Sequence, residues 1–238
     1  MAAQRLHPVA ALFVRADSIY KALPEVDAWD AQRDARLFAG PSPVVAHPPC
    51  RAWGRLSQFA KPRHDEAALG PWAVEQVRRF GGVLEHPRAS KLWAHCGLPR
   101  PGQGVDAWGG YTIEVNQFDF GHKAEKRTWL YIVGVAPSGL PEVLPRPGEP
   151  THAIRPNEAY PRKPSVTKAE REHTPHLLSL WLVEVARRCA GQGTEWLPVR
   201  CAHPGPIQWN QDPKLTGDAH RLLKARIQSA HIAANRPA

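Results

Sequence analysis

Four short apolar runs, each stopped by charged or turn-forming residues, constrain most strongly how this chain can fold. They lie at residues 10–14, 26–30, 43–46 and 83–85. Runs of this length are typical of strands, and a strand that is buried on both faces is an almost continuous apolar run. The 238 residues are enough to bury a core around such strands without disulfide bonds.

The segment of residues 65–80 is predicted to be a helix that connects the third run to the fourth. Its apolar residues share one helical face; they are Leu69, Ala73, Val77 and Phe80. Gly70-Pro71 predicts either a kink or a helix start at Pro71, and Gly81 ends the helix. Strands that alternate with helices predict an α/β domain with a largely parallel sheet, in which ligands bind beyond the carboxyl ends of the strands.

The rest of the chain divides by composition. Residues 111–120 and 128–133 are predicted to pair as strands and to complete a core of residues 1–135. Residues 136–164 contain eight prolines and are predicted to form a loop. Residues 165–190, which open with a capping-box sequence, are predicted to form a helix that returns to this core. Residues 191–238 are predicted to be an extension that ends in a helix from Asp218 to Ala234.

The charge balance points to an anionic partner. Lysine and arginine number 31 against 22 acidic residues, a net charge of +9. Nucleic acid is the first candidate, and a basic protein with no such partner is the alternative. The four cysteines are dispersed, which favours free thiols in a reducing cytoplasm. The apolar run at residues 9–14 is too short for a signal peptide or a membrane span, so we expect no membrane partner.

Cys50 is the first candidate catalytic residue. It ends the third apolar run and follows Pro48-Pro49, which stiffen the turn and present the thiol. A nucleophilic cysteine needs exposure and a nearby positive charge, for which Arg51 and Arg55 are candidates. The alternative is a cysteine that is simply buried.

Glu85 is the second candidate. It closes the fourth apolar run and precedes His86-Pro87. Burial at the end of a strand is expected to raise the pKa of this carboxyl, which suits a proton donor. The alternatives are a salt bridge and a cap for a helix at residues 89–95.

Around these two residues the sequence resembles a known family. Residues 47–57, HPPCRAWGRLS, resemble the Pro-Cys motif of DNA cytosine-5 methyltransferases, which carries the nucleophile. Residues 84–87, LEHP, resemble the family's Glu-Asn-Val or Glu-Asn-Pro motif, with His86 in place of asparagine. Residues 120–134 resemble a later motif that combines positive charges with a hydrophobic strand. The resemblance covers roughly residues 10–135 in the family's order and is greatest to short phage-type members.

The resemblance implies a Rossmann-like methyltransferase sheet and a reaction on DNA. The base is flipped out, Cys50 adds to C6 of cytosine, Glu85 hydrogen-bonds N3, and a one-carbon group is transferred to C5. Positively charged residues are expected to contact the base or the phosphates. They are Arg51, Arg55, Lys123, Lys126 and Arg127. Residues 136–164 then correspond to a reduced target-recognition segment.

The resemblance also implies S-adenosylmethionine as the donor. Its pocket is expected between the end of the first strand and the acid after the second. The residues concerned are Phe13, Arg15, Asp17, Ser18, Asp27, Asp30 and Pro48. The family's glycine-rich turn is missing from residues 13–18, so a second reading is a cytosine-5 modifier with another donor, such as a hydroxymethylating enzyme acting on DNA or a nucleotide. A third is a catalytically inactive DNA-binding relative.

A zinc site is the remaining alternative. Its ligands would be His47, Cys50, His95 and Cys96. Their spacing is not that of a zinc finger, and adjacent ligands point to different sides of most elements. We therefore expect no bound metal.

Overall fold

A mixed six-stranded sheet forms the centre of the chain in a computed structural model, which describes residues 8–154 and 163–190. The strands are β1 (Val9–Leu12), β2 (Val26–Trp29), β3 (Val44–Ala46), β4 (Gly82–Pro87), β5 (Tyr111–Asn116) and β6 (Arg127–Val133). Their order across the sheet is β2-β1-β3-β4-β6-β5. The first four strands are parallel, and β6 is antiparallel to both of its neighbours. The predicted α/β class is confirmed.

Helices cover both faces of this sheet. They are α1 (Glu66–Phe80), α2 (Lys91–His95), α3 (Lys168–Glu172) and α4 (His176–Ala190). Strand residues alternate between the two faces: Val45 and Val83 pack on the α4 side, whereas Ala46 and Leu84 pack on the α1 side. Strand geometry sends successive side chains to opposite faces, so both faces need apolar residues. This explains why the strands are continuous apolar runs.

Helix α1 begins five residues before Pro71 and continues through it. The predicted start at Pro71 is therefore wrong, because Glu66 anchors the first turn. Its carboxylate is buried and accepts a hydrogen bond from Nε of Arg51 at 3.0 Å. Arg63 lies 3.7 Å from the same carboxylate. These two cations hold the first turn in place.

The predicted strand of residues 111–120 is shorter in the structure. It ends at Asn116, and residues 117–120 form a 3-10 turn instead. The Asn116 side chain accepts hydrogen bonds from the amides of Phe118 and Lys126, both at 3.1 Å. Gly121 closes the turn with a φ of +97°. This turn directs Gln117 into the protein, where it is buried.

The C-terminal described segment forms two helices, of which α4 packs on the sheet. The capping box between Thr167 and Glu170 starts α3, as predicted. Helix α4 follows Pro175 and buries Leu178, Leu182 and Val185 against the sheet. No helix among the described residues is long and apolar enough to cross a membrane. The predictions for residues 191–238, including the terminal helix, lie outside the described residues, as do residues 155–162 of the proline-rich segment.

Candidate active site

The candidate site lies where the strand order reverses. The chain passes from β1 to β2 on one side and returns to β3 and β4 on the other. In parallel sheets, the crevice beyond the carboxyl ends of the strands at such a point is the usual ligand site. Cys50 follows β3, and Glu85 belongs to β4, which pairs directly with β3. The two candidate residues therefore come from neighbouring strand ends.

A tight turn presents Cys50. Its carbonyl accepts hydrogen bonds from the amides of Trp53 at 3.1 Å and Gly54 at 2.8 Å. Pro48, which was predicted to contact a cofactor, is buried beneath this turn. Cys50 itself is exposed as a residue, although its thiol lies against protein that desolvates it. The thiol is presented at the surface of the crevice and not packed in the core.

The electrostatics of the Cys50 thiol differ from the prediction. Desolvation raises its pKa first, the Glu85 carboxylate raises it further, and Lys126 lowers it. The expectation that Arg51 and Arg55 favour the thiolate is wrong. Arg51 is engaged with Glu66 on α1, and Arg55 is an exposed residue of the following turn. The cation that acts on the thiol comes from the other side of the crevice.

Glu85 is held by hydrogen bonds at both oxygens. Its Oε2 is 3.1 Å from Nδ1 of His47, and its Oε1 accepts from the side-chain amide of Gln117 at 3.1 Å. The same amide of Gln117 donates to the hydroxyl of Thr128 at 2.9 Å. The Glu85 side chain is 15% exposed, so a ligand in the crevice can still reach it.

The pKa of Glu85 is lowered to about 2, contrary to the prediction that it is raised. Burial alone does raise it, but the hydrogen bond and charge of His47, together with Lys126, outweigh burial. His47 and Lys126 come from other parts of the chain, so the sequence around Glu85 indicates its burial but not these partners. Glu85 is therefore a carboxylate in the free protein at neutral pH.

Lys126 lies in the connection before β6 and acts electrostatically on both candidate residues. Burial lowers the pKa of its ammonium group, whereas Glu85 and Cys50 raise it. Its carbonyl accepts a hydrogen bond from the Gln117 amide at 3.0 Å, which fixes this connection beside the 3-10 turn. Lys126 is predicted to contact the substrate. The structure adds that its positive charge lowers the pKa of both the Cys50 thiol and the Glu85 carboxyl.

His86, which stands where the family has asparagine, points to the opposite face of β4 from Glu85. It is buried on the α1 side with its ring 6.4 Å from that of Trp93. Neither ring nitrogen makes a hydrogen bond to a described residue, although the backbone carbonyl of Pro49 acts on the ring. Burial lowers its pKa to about 4. His86 is therefore uncharged at neutral pH.

This buried histidine makes stability depend on pH. Its pKa is lower in the folded chain than the ordinary histidine value of about 6.5, so the unfolded chain binds more protons between these values. Stability is therefore expected to fall by about 3 kcal/mol as pH decreases from 7 to 4. Urea unfolding across this range measures it. The variant His86→Asn is expected to lose this dependence; an unchanged slope in the variant would assign it elsewhere.

The remaining predicted substrate contacts lie on the surface. Lys123 pairs with Glu170 at 2.6 Å, and Arg127 pairs with Glu114 at 3.2 Å. Both cations are more than 45% exposed. Their charges are locally balanced, so phosphate binding would have to displace these carboxylates.

The turn after β1 has a positive backbone φ, which usually requires glycine, although the residue there is Phe13. Phe13 has a φ of +60°, and its ring packs edge-on against Trp72 at 5.6 Å. Arg15 binds Asp17 at 2.9 Å and Glu172 on α3 at 2.7 Å. Ser18 caps the 3-10 turn Ile19–Ala22, as the sequence predicts.

Both acids of the second strand already have partners. Asp30 is buried and accepts hydrogen bonds from the Lys21 ammonium at 2.6 Å and from the amides of Gln32 and Arg33. The bond from Lys21 and these amides lower its pKa. Asp27 accepts from the indole of Trp29 at 2.8 Å and from Arg33.

These residues do not fit S-adenosylmethionine in this arrangement. The two hydroxyls of a ribose need two unoccupied acceptor positions, and Lys21 and two amides take three of the about four positions on Asp30. Close approach of backbone to a ligand needs a residue without a side chain, and Phe13 carries a ring there. The acid lies at the expected strand end, but it serves the protein's own structure.

A zinc site is not assembled either. Among the described residues, no three histidine, cysteine or acidic side chains cluster as a metal site. His47 contacts Glu85, whereas the His95 ring lies 4.7 Å from that of Trp53.

Sequence reasoning missed several residues of the site. They are Tyr20, His47, Gln117 and Thr128. His47 carried a signal, since it directly precedes the Pro-Pro-Cys sequence, but it was considered only as a metal ligand. Gln117 was hidden inside a predicted strand. No protein-family model matches the chain, and no curated protein matches its sequence. The candidate site therefore rests on its residues and their geometry.

Proposed function

We propose that this chain is an enzyme similar to DNA cytosine-5 methyltransferases, which transfers a one-carbon group to C5 of cytosine. The observation that carries the proposal is the coupling of three groups in one crevice. Glu85 and Lys126 both shift the pKa of the Cys50 thiol, and Lys126 and Glu85 shift the pKa of each other. A nucleophile, a hydrogen-bonding partner for the ring and a counter-charge are the groups that this chemistry needs.

The reaction follows from the electron distribution of the pyrimidine ring. The Cys50 thiolate forms a bond to C6, and the C5=C6 π pair moves into the ring toward C5. A proton that N3 receives through Glu85 neutralises the negative charge that develops on the ring. C5 is then nucleophilic and bonds to the one-carbon group of the donor, and the rest of the donor leaves with the electron pair of the bond that breaks. Loss of the C5 proton restores the double bond and expels the thiolate, so Cys50 is regenerated.

The sheet supports a Rossmann-like interpretation. Four parallel strands in the order β2-β1-β3-β4, with α1 and α4 on opposite faces, are typical of doubly wound folds. The order reverses between β1 and β3, and Cys50 follows β3. Cys50 thus lies next to the point where such folds bind ligands, and Glu85 lies on the next strand, β4.

DNA as the substrate is supported by charge and by an aromatic surface. The net charge of +9 favours a polyanion. A cavity of about 370 Å³ lies between the turn after Cys50 and α1, and its lining includes Trp53, Trp72 and His95. Aromatic side chains stack on unpaired bases. A base extruded from DNA, or its neighbour, has a surface to stack on at the turn that follows Cys50 in the sequence.

For the one-carbon donor, the structure favours a molecule other than S-adenosylmethionine. The ring of Phe13 and the occupied carboxylate of Asp30 both disfavour S-adenosylmethionine. We therefore propose a one-carbon donor of another class as the second candidate, with the same Cys50 and Glu85 chemistry. A purely DNA-binding relative is disfavoured, because binding alone does not require a buried carboxylate coupled to a thiol.

Calorimetry with S-adenosylhomocysteine distinguishes the donors. We expect weak or undetectable binding by the wild-type chain, since Asp30 must first release Lys21. The variant Lys21→Ala is expected to bind more tightly than wild type, because it frees one carboxylate oxygen. Tight wild-type binding that is lost in Asp30→Ala would instead establish the S-adenosylmethionine site that the resemblance implies.

Hydrogen exchange at C5 tests the proposed function without any donor. Addition of Cys50 to C6 makes C5 basic, so in D₂O it takes up deuterium and then loses its proton. We expect deoxycytidine from DNA incubated with the protein to gain one mass unit, as measured by mass spectrometry after digestion. Exchange in deoxycytidine monophosphate alone would make a nucleotide the substrate. No exchange in either would contradict the proposal.

A further inference from the structure

A continuous chain of hydrogen bonds leads from the crevice into the core beneath it. The Tyr20 hydroxyl is 2.9 Å from Nε2 of His47, and Nδ1 of His47 is 3.1 Å from Glu85. Glu85 continues the chain to Gln117. The members come from a 3-10 turn, the end of β3, β4 and the turn after β5. Within residues 8–154 and 163–190, His47 is the titratable side chain that is hydrogen-bonded to Glu85.

The chemistry of the neighbours fixes where the protons lie. Glu85 is a carboxylate and only accepts, so Nδ1 of His47 carries the hydrogen between them. Burial, reinforced by Glu85, raises the pKa of Tyr20, so its hydroxyl stays protonated and donates to Nε2. A second proton on His47 reverses only the hydrogen bond to Tyr20, since Nε2 then donates to the Tyr20 oxygen. His47 can therefore be neutral or charged without losing either partner.

Glu85 presents a difficulty for the reaction that His47 removes. As a carboxylate it cannot donate a hydrogen to N3 of cytosine, and addition at C6 requires that N3 gain one. The other titratable groups that interact electrostatically with Glu85 are Tyr20, Cys50, His86 and Lys126. Cys50 is the nucleophile, buried His86 on the other face of β4 stays neutral, and Tyr20 keeps its proton. This leaves His47, hydrogen-bonded to Glu85, and Lys126, which acts on it through space.

We propose that His47 supplies, through Glu85, the proton that N3 of the pyrimidine gains when Cys50 adds to C6. The inference rests on the proposed function. The imidazolium Nδ1–H bond breaks as Glu85 passes one proton to N3, while the thiolate pair forms the bond to C6. Elimination returns the proton to His47, so no other reactant is needed. His47 is a positioning residue in this scheme, because it touches Glu85 and not the base.

The pH profile of C5 exchange tests the proposal. The exchange rate of wild type is expected to follow a bell-shaped pH profile, because the reaction needs the Cys50 thiolate and a protonated His47 at the same time. The variant His47→Asn keeps an N–H that can bond to Glu85 but cannot ionise. We expect its exchange to be about 100-fold slower, with a rate that only rises with pH. Equal melting temperatures of wild type and His47→Asn establish that both proteins are folded.

Other outcomes contradict the proposal. His47→Asn with the wild-type rate, or with the falling limb of the bell retained, overturns it. A falling limb that is lost in Lys126→Gln but not in His47→Asn assigns the proton to Lys126. Wild-type protein that exchanges nothing at any pH contradicts the proposed function, and the inference with it. If wild type exchanges and His47→Asn exchanges at the same rate, the inference is contradicted and the proposed function is not.

Two further measurements do not depend on His47→Asn. Nitrogen-15 spectra of the free wild-type protein at alkaline pH are expected to give the Nδ1–H tautomer for His47; a predominant Nε2–H tautomer overturns the hydrogen-bond chain and the proposal. Tyr20→Phe removes one hydrogen bond while it preserves the ring. We expect exchange about 5-fold slower with the bell retained, and loss of the bell in this variant would place the titrating proton on Tyr20 instead.

Discussion

Replacing Cys50 with serine is expected to abolish C5 exchange, a loss of at least about 10⁴-fold. A serine hydroxyl has almost the same size, so the turn that Pro48-Pro49 form should be retained. Its pKa is far above that of a thiol, and neither Lys126 nor the crevice lowers it enough to give an alkoxide at neutral pH. Mass spectrometry of digested DNA after incubation in D₂O measures the loss.

Cys96→Ser is the matched control. Cys96 is half-buried at the end of α2, where burial raises the pKa of its thiol to about 11. Its replacement is expected to leave exchange at the wild-type rate. Exchange that persists in Cys50→Ser and disappears in Cys96→Ser would move the nucleophile to another part of the fold.

The local pattern of the sequence was enough to predict most of the sheet. The first four strands start within two residues of the predicted runs. β1 and β3 are buried on both faces and are continuous apolar runs, whereas β2 is a half-buried edge strand. The paired strands near residues 111 and 128 were also predicted. These features depend on residues close together in the chain, and so does the capping box at Thr167.

The electrostatics of the site could not be predicted in the same way. Arg51 is adjacent to Cys50, yet it turns to Glu66 on α1. Lys126 is 76 residues from Cys50 in the sequence and still acts on it. The pKa of Glu85 has the opposite shift to the predicted one because His47 comes from the neighbouring strand. Sequence position thus identified which residues lie at the strand ends but not which charges face each other.

Glu85→Gln and Lys126→Gln are expected to separate thiol reactivity from catalysis. Glu85 raises the pKa of Cys50, so its neutral replacement lowers that pKa and increases the thiolate fraction. Alkylation of Cys50 by iodoacetamide at pH 8 should become severalfold faster. C5 exchange should nevertheless fall about 10³-fold, because glutamine carries no proton that N3 can take. The two measurements are expected to move in opposite directions.

Lys126→Gln should move both measurements in the same direction. Loss of the ammonium removes a positive charge that lowers the pKa of Cys50, so alkylation slows, and C5 exchange slows with it. Alkylation of Cys96 in the same sample serves as the internal reference. If Glu85→Gln slowed both measurements alike, Glu85 would act by holding the crevice together. Only opposite shifts in Glu85→Gln and parallel shifts in Lys126→Gln assign the carboxylate to the base and the ammonium to the thiol.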